Sequence, residues 1–85
     1  MSSVITFEEA TNYVAGNVER LMDSLGITKA ELARRCKTHK MAMTRLLSRT
    51  HEPTAHMLNN LAEALGTTAD ALLEKPAEKN IRRRA

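Results

Sequence analysis

The sequence predicts an all-α domain built from five short helices. Apolar residues recur at steps of three and four, as in Phe7, Ala10, Val14, Val18, Leu21 and Leu25. Threonine stands ahead of these stripes and glycine or proline behind them, the residue types that start and stop helices. Nothing alternates at period two, and Phe7 and Tyr13 are the sole aromatic residues in 85. The core therefore has to be Leu, Ala, Val, Met and Ile, which suits packed short helices better than a sandwich.

Thr6 opens the first helix and forms a capping box with Glu9, the hydroxyl serving the third helical N–H while the carboxylate reaches back. Gly16 lies off the stripe and weakens the helix by about 1 kcal/mol without breaking it. Gly26 closes it as a left-handed cap. Thr28 with Glu31 reads as a second capping box, followed by a short helix with Leu32, Ala33 and Cys36 facing inward and an end near Lys37. The third helix begins at Thr38 or His39, carries Met43, Leu46 and Leu47, and stops in the polar run 48–52 before Pro53. Thr54 caps a fourth with Met57, Leu58, Leu61, Ala62 and Leu65, ended by Gly66. Thr67 or Thr68 starts the last, through Ala69, Leu72 and Leu73, stopped by Pro76. Residues 1–75 form one domain. Residues 76–85, polar and basic apart from Ile81, are expected to be a disordered tail.

Composition excludes several classes of function. Cys36 is the single cysteine, so neither an internal disulfide nor a thiolate metal cluster is expected, and the thiol reads as a small apolar residue. His39, His51 and His56 lack zinc-ligand spacing. No Gly-rich phosphate loop occurs, and the carboxylates are scattered, so no enzyme, metal or cofactor is expected. No apolar run approaches the roughly 18 residues of a membrane span, and the start lacks a signal-peptide pattern. A cytoplasmic, nucleoid-associated protein is the expectation. A chain of this size buries only about 60–65% of its unfolded surface and needs efficient packing, oligomerisation or both.

The net charge of +3 hides an alternation. Over residues 29–51, Lys29, Arg34, Arg35, Lys37, Lys40, Arg45 and Arg49 stand against Glu31 alone, a net of +6. Residues 1–28 set Arg20 against Glu8, Glu9, Glu19 and Asp23, and residues 52–74 hold Glu52, Glu63, Asp70 and Glu74 with no cation, nets of −3 and −4. Lys75, Lys79, Arg82, Arg83 and Arg84 against Glu78 make the remainder +4. A surface built for solubility intersperses its signs. A basic block between acidic neighbours points to an anionic partner docked at one place; the competing reading is neutralisation of the block by those neighbours within the fold.

Two short helices joined by a tight turn at about residues 36–39, the second starting inside the basic block, have the layout in which one helix crosses a phosphate backbone and the next enters the major groove. Leu25-Gly26-Ile27-Thr28 leads into Glu31-Leu32-Ala33, followed by Met43-Thr44-Arg45-Leu46, Pro53-Thr54, and Leu58, Leu61, Ala62, Ala64, Leu65 and Gly66, all in register without a gap. Over residues 18–73 this succession resembles the lambda-repressor-like (Xre-type) helix-turn-helix family of phage and bacterial repressors. The resemblance implies a five-helix lambda-repressor-like bundle, here with an N-terminally extended first helix. It also implies sequence-specific binding of double-stranded DNA, repression by promoter occupancy, and a homodimer on an inverted repeat. The chain departs from the family pattern at the turn, where Lys37 and Thr38 replace a Gly and a small apolar residue, so that Lys37 takes a positive φ or the turn shifts. Lys29 and Lys40 stand where Gln is frequent, Leu47 where an acid is, and Arg49 where Gly is common, so the base preference does not carry over.

The candidate DNA-binding residues follow. Lys40, Met41, Thr44 and Arg45 share the outward strip of the third helix. Arg45 suits bidentate contact with guanine, Thr44 a phosphate or thymine methyl, Met41 a methyl, and Lys40 guanine or phosphate. The alternative is a solvated polar face. Lys29, a cation at a positive helix end, is relieved by a bridging phosphate. His39, Arg49, Thr50 and His51 flank the strip as backbone clamps or as ordinary loop polarity. Arg34, Arg35 and Lys37 read as peripheral sources of long-range attraction. Ile5, Phe7, Tyr13 and Val14 at the start, or residues 67–75 with Leu72 and Leu73, are two candidate dimer seams. Arg82, Arg83 and Arg84 suit salt-sensitive phosphate attraction. A second function class is a protein-interaction module, such as an antitoxin that binds a toxin as well as its operator.

Overall fold

A computed structural model describes residues 4–76. Its five helices are α1 (Phe7–Leu25), α2 (Lys29–Arg35), α3 (Lys40–Leu47), α4 (Ala55–Leu65) and α5 (Ala69–Leu72). The tail expected over 76–85 lies outside the described residues except for Pro76.

Four of the five starts are threonine caps. The hydroxyls of Thr6, Thr28, Thr54 and Thr68 each accept the third helical N–H at 3.0–3.1 Å. Thr6 and Glu9 complete the reciprocal box, the Thr6 amide donating to Glu9 Oε1 at 2.9 Å. The second box expected at Thr28 is only half made. The Glu31 carboxylate turns away from the cap and pairs with Arg34 and Arg35, because two guanidiniums three and four residues on offer stronger charge-assisted bonds than one amide. Gly26 (φ 69°) and Gly66 (φ 73°) end α1 and α4 in the left-handed region. α3 starts later than Thr38, at Lys40, with His39 as an N-cap whose side chain makes no capping bond.

The turn between α2 and α3 takes the strained option. Lys37 adopts φ 57°, because its own amide folds back onto the Arg34 carbonyl (3.1 Å) and that of Thr38 onto Ala33 (2.9 Å). This satisfies two carbonyls at the end of α2 but needs a left-handed residue, which costs a side-chain-bearing residue roughly 1–2 kcal/mol. Replacing Lys37 by glycine is therefore expected to raise stability by about 0.5–1 kcal/mol, read as a higher urea midpoint at unchanged slope. A lower midpoint would show that the Lys37 side chain contributes more than its backbone costs.

Val14 and Val18 of α1, Leu32 and Ala33 of α2 with its cap Cys36, Met43 and Leu46 of α3, Leu61, Ala62 and Leu65 of α4 and Leu72 of α5 form one core. The stripe on α1 is not buried end to end. Phe7 is 59% and Leu25 50% exposed, because the nineteen-residue helix outruns the elements that cover its middle. Leu72, read from sequence as part of a dimer seam, has no exposed surface at all and is core. Leu72 therefore drops out of the candidate seam over 67–75, as Val14, also without exposed surface, drops out of the one at the start of α1; Leu73 is half-buried.

Two tertiary contacts tie the ends of the domain together. Asn17, in the middle of α1 and 2% exposed, donates from Nδ2 to the carbonyls of Leu72 (2.8 Å), Glu74 (2.7 Å) and Ala71 (3.4 Å), closing the end of α5. Pro76, assigned by sequence to the tail, instead packs over Gly16, where an added Cβ would stand 3.1 Å from the proline ring. Gly16 is thus a point of close approach as well as a weak helix former.

Candidate nucleic-acid interface

The packing of α3 sorts its side chains. Met43 and Leu46 are buried and Ala42 and Leu47 half-buried, which leaves Lys40, Met41, Thr44 and Arg45 exposed on the opposite strip. The spacing i, i+1, i+4, i+5 keeps them on one side of two helical turns. Among the described residues, none of these four side chains has an ion-pair or hydrogen-bond partner. This strip is exposed, cationic and unneutralised.

The rest of the basic block behaves differently. Arg34 and Arg35 are both drawn onto Glu31, the latter with Nε 3.0 Å from Oε2. Arg35 also donates to the Ala64 carbonyl at 3.3 Å, near the electronegative end of α4. Arg49 reaches back to α1, with Nη2 3.1 Å from Glu19 Oε1 and Nη1 2.8 Å from the Leu47 carbonyl. The hydrogen bond to Glu19 holds its guanidinium more firmly in the charged form, slightly opposed by burial. Neutralisation by an acidic neighbour therefore reaches Arg49 alone among the described residues, while Arg34 and Arg35 are paired by Glu31 of the block itself. Lys29, Lys37, Lys40 and Arg45 remain without ion pairs among the described residues.

Lys29 is the first residue of α2 and half-buried, so its cation does sit at a positive helix end. His39 precedes α3, which has no acidic residue in its first turn and no side-chain cap. The first amides of α3 and the Lys40 side chain thus concentrate donors and positive potential at one end of the strip. Beyond the other end, Thr50 and His51 are exposed and linked, Thr50 Oγ1 standing 2.9 Å from His51 Nδ1. Ser48, which sequence reasoning passed over, holds them to the helix: its Oγ donates to the Arg45 carbonyl (2.7 Å) and lies 2.8 Å from Thr50 Oγ1. The signal was present in the run 48–51, since short hydroxyl side chains after a helix bond to local backbone. Burial pushes the Cys36 thiol up, which keeps it protonated and unreactive.

Two short helices and a four-residue turn, with an exposed basic strip on the second, define the geometry. The helix-turn-helix family model matches residues 18–72, more than half of the chain. The chain belongs to the lambda-repressor-like (Xre-type) helix-turn-helix family. Membership makes it a DNA-binding transcriptional regulator, with α2 and α3 as the paired helices. The crystal structure of a hypothetical transcription factor, NHTF, from Neisseria is similar to it in fold, with a TM-score of 0.77 at 21% identity over 95% of this chain and 93% of that one. No curated protein matches the chain. The match begins at Val18, so the first turns of α1, with Phe7 and Ala10, precede the helix-turn-helix region. Among the described residues, no helix is long and apolar enough to cross a membrane.

Proposed function

We propose that this protein is a sequence-specific repressor of transcription that works in the cytoplasm, on the nucleoid, as a homodimer, occupying an inverted-repeat operator and so blocking promoter access. The observation that carries the reading is the strip of Lys40, Met41, Thr44 and Arg45, exposed and unpaired while the neighbouring arginines are neutralised. In this reading α3 enters the major groove, and Lys29, His39, Thr50 and His51 hold the flanking phosphates. Arg49 contributes there only if it leaves Glu19. No chemistry is involved and no cofactor is required.

In this reading the dimer seam is the start of α1, where Ile5 and Phe7 are exposed and Ala10 and Val14 line a groove with Glu52, Pro53, Ala55, Leu58 and Leu73. The same apolar surface supports a second reading, in which a partner protein such as a toxin docks on the domain. Sedimentation of Phe7→Lys, expected to shift toward monomer, checks the seam; an unchanged dimer places it elsewhere.

Selection of bound sites from a random duplex pool at stated salt tests the function. The expected result is enrichment of an inverted repeat whose half-sites lie about one helical turn, roughly 34 Å, apart. A pool with no preferred sequence overturns sequence-specific repression. Lys29→Ala is expected to weaken all sequences alike and to reduce the salt slope by about one; an unchanged slope removes the phosphate contact from Lys29.

A further inference from the structure

Met41 is the odd member of the α3 strip. It is apolar and 56% exposed, between Lys40 and the Thr44–Arg45 pair, while Ala42 and Met43 turn toward the core. Salt bridges and hydrogen bonds account for its neighbours' affinity for a polyanion, but a thioether gains nothing from phosphate. The apolar feature that a base pair offers in the major groove is the C5 methyl group of thymine. We propose that Met41 reads a pyrimidine C5 methyl group, so that each half-site places a thymine near the guanine contacted by Arg45, and 5-methylcytosine can stand in for that thymine. The inference rests on the reading of α3 as the groove helix.

Geometry sets the spacing. Met41 and Arg45 are four residues apart, about 6 Å along the helix axis. Stacked bases rise about 3.4 Å per step, so the two contacts fall within about two base pairs of one another. Chemistry sets the substitution rule. The methyl group is attached at C5 in both thymine and 5-methylcytosine. The thioether is a flexible, polarisable group with almost no hydrogen-bonding capacity, so it is blind to the O4 and N4 groups that otherwise separate the two bases. Thr44, the nearest polar side chain one turn on, both donates and accepts and so tolerates either group. Occupancy of the operator then responds to cytosine methylation at that position.

The test uses the full chain and the duplex recovered from the random pool. Each thymine of a half-site is replaced in turn by deoxyuridine, which deletes the methyl group and nothing else. At the sensitive position, thymine, deoxyuridine, cytosine and 5-methylcytosine are compared in equilibrium binding, with the wild-type chain and with Met41→Ala. Deoxyuridine and cytosine are expected to weaken wild-type binding about fourfold, the factor that burying one methyl-sized group is worth, and 5-methylcytosine to recover most of the loss. Met41→Ala is expected to bind thymine and deoxyuridine alike, and cytosine and 5-methylcytosine alike, with an unchanged helical spectrum. If the selected duplex binds but no thymine responds to loss of its methyl group, or if the response survives in Met41→Ala, the inference is overturned while the repressor reading stands. A pool that yields no preferred duplex removes both.

Discussion

Arg45→Ala is expected to lose about 1–3 kcal/mol of affinity for the selected operator and to relax the requirement at one base pair of each half-site. Arg45 is exposed, has no ion-pair partner among the described residues, and stands one helical turn beyond Met41 on the exposed strip of α3. Its free guanidinium can present two parallel donors to the O6 and N7 acceptors of guanine, an arrangement that lysine cannot reproduce. Arg49→Ala is the internal contrast. That guanidinium is committed to Glu19 and the Leu47 carbonyl, so its loss is expected to leave base preference unchanged. The measurement is paired equilibrium titration on operator and random duplex at one salt concentration. Equal loss of Arg45→Ala on both duplexes would show that the side chain meets phosphate alone.

The second large effect concerns stability. Asn17→Asp keeps the shape of the side chain but replaces the amide donor with acceptors and a charge, facing the carbonyls of Ala71, Leu72 and Glu74. Three bonds become repulsions in a buried site, with an expected cost of about 3 kcal/mol or more. Each kcal/mol moves the midpoint by roughly 4–8 °C in a domain of this size, so thermal unfolding is expected to fall by more than 10 °C. Asn17→Ala, which removes the side-chain donor from the Leu72 and Glu74 carbonyls without adding charge, should fall between wild type and Asn17→Asp. Midpoints indistinguishable from wild type would mean that α5 is held by Leu72 in the core and not by its capped end.

Most of the fold was legible because its signals are local. Thr6, Thr54 and Gly66 act on backbone groups three or four residues away, and the spacing of Leu61, Ala62 and Leu65 is a property of one helix. At Lys37 the sequence leaves two outcomes open, a positive φ or a shifted turn, and the structure takes the first. The exposed strip on α3 followed from helical periodicity once Met43 and Leu46 were assigned inward. What was not legible has equally physical causes. A hydrophobic stripe says which face of a helix is apolar but not how far its neighbours extend, so the stripe that includes Leu25 ends in solvent, while the exposure of Phe7 agrees with its reading as a seam candidate. Whether Leu72 serves the core or a seam is not legible, because a four-residue helix gives too few turns to tell inward from outward.

The sequence by itself determined the helices, their caps, the turn and the family, because each of these depends on residues within a few positions of one another. Only the tertiary structure decided that Arg49 is paired and that Asn17 closes the end of α5. Glu19 and Arg49 are 30 residues apart and Asn17 and Glu74 are 57 apart, so their contacts exist only after α1 has packed against α3 and α5. No periodicity or local motif encodes a meeting at that distance, and it is that packing which neutralises Arg49, whereas the pairing of Arg34 and Arg35 with Glu31 is local to α2.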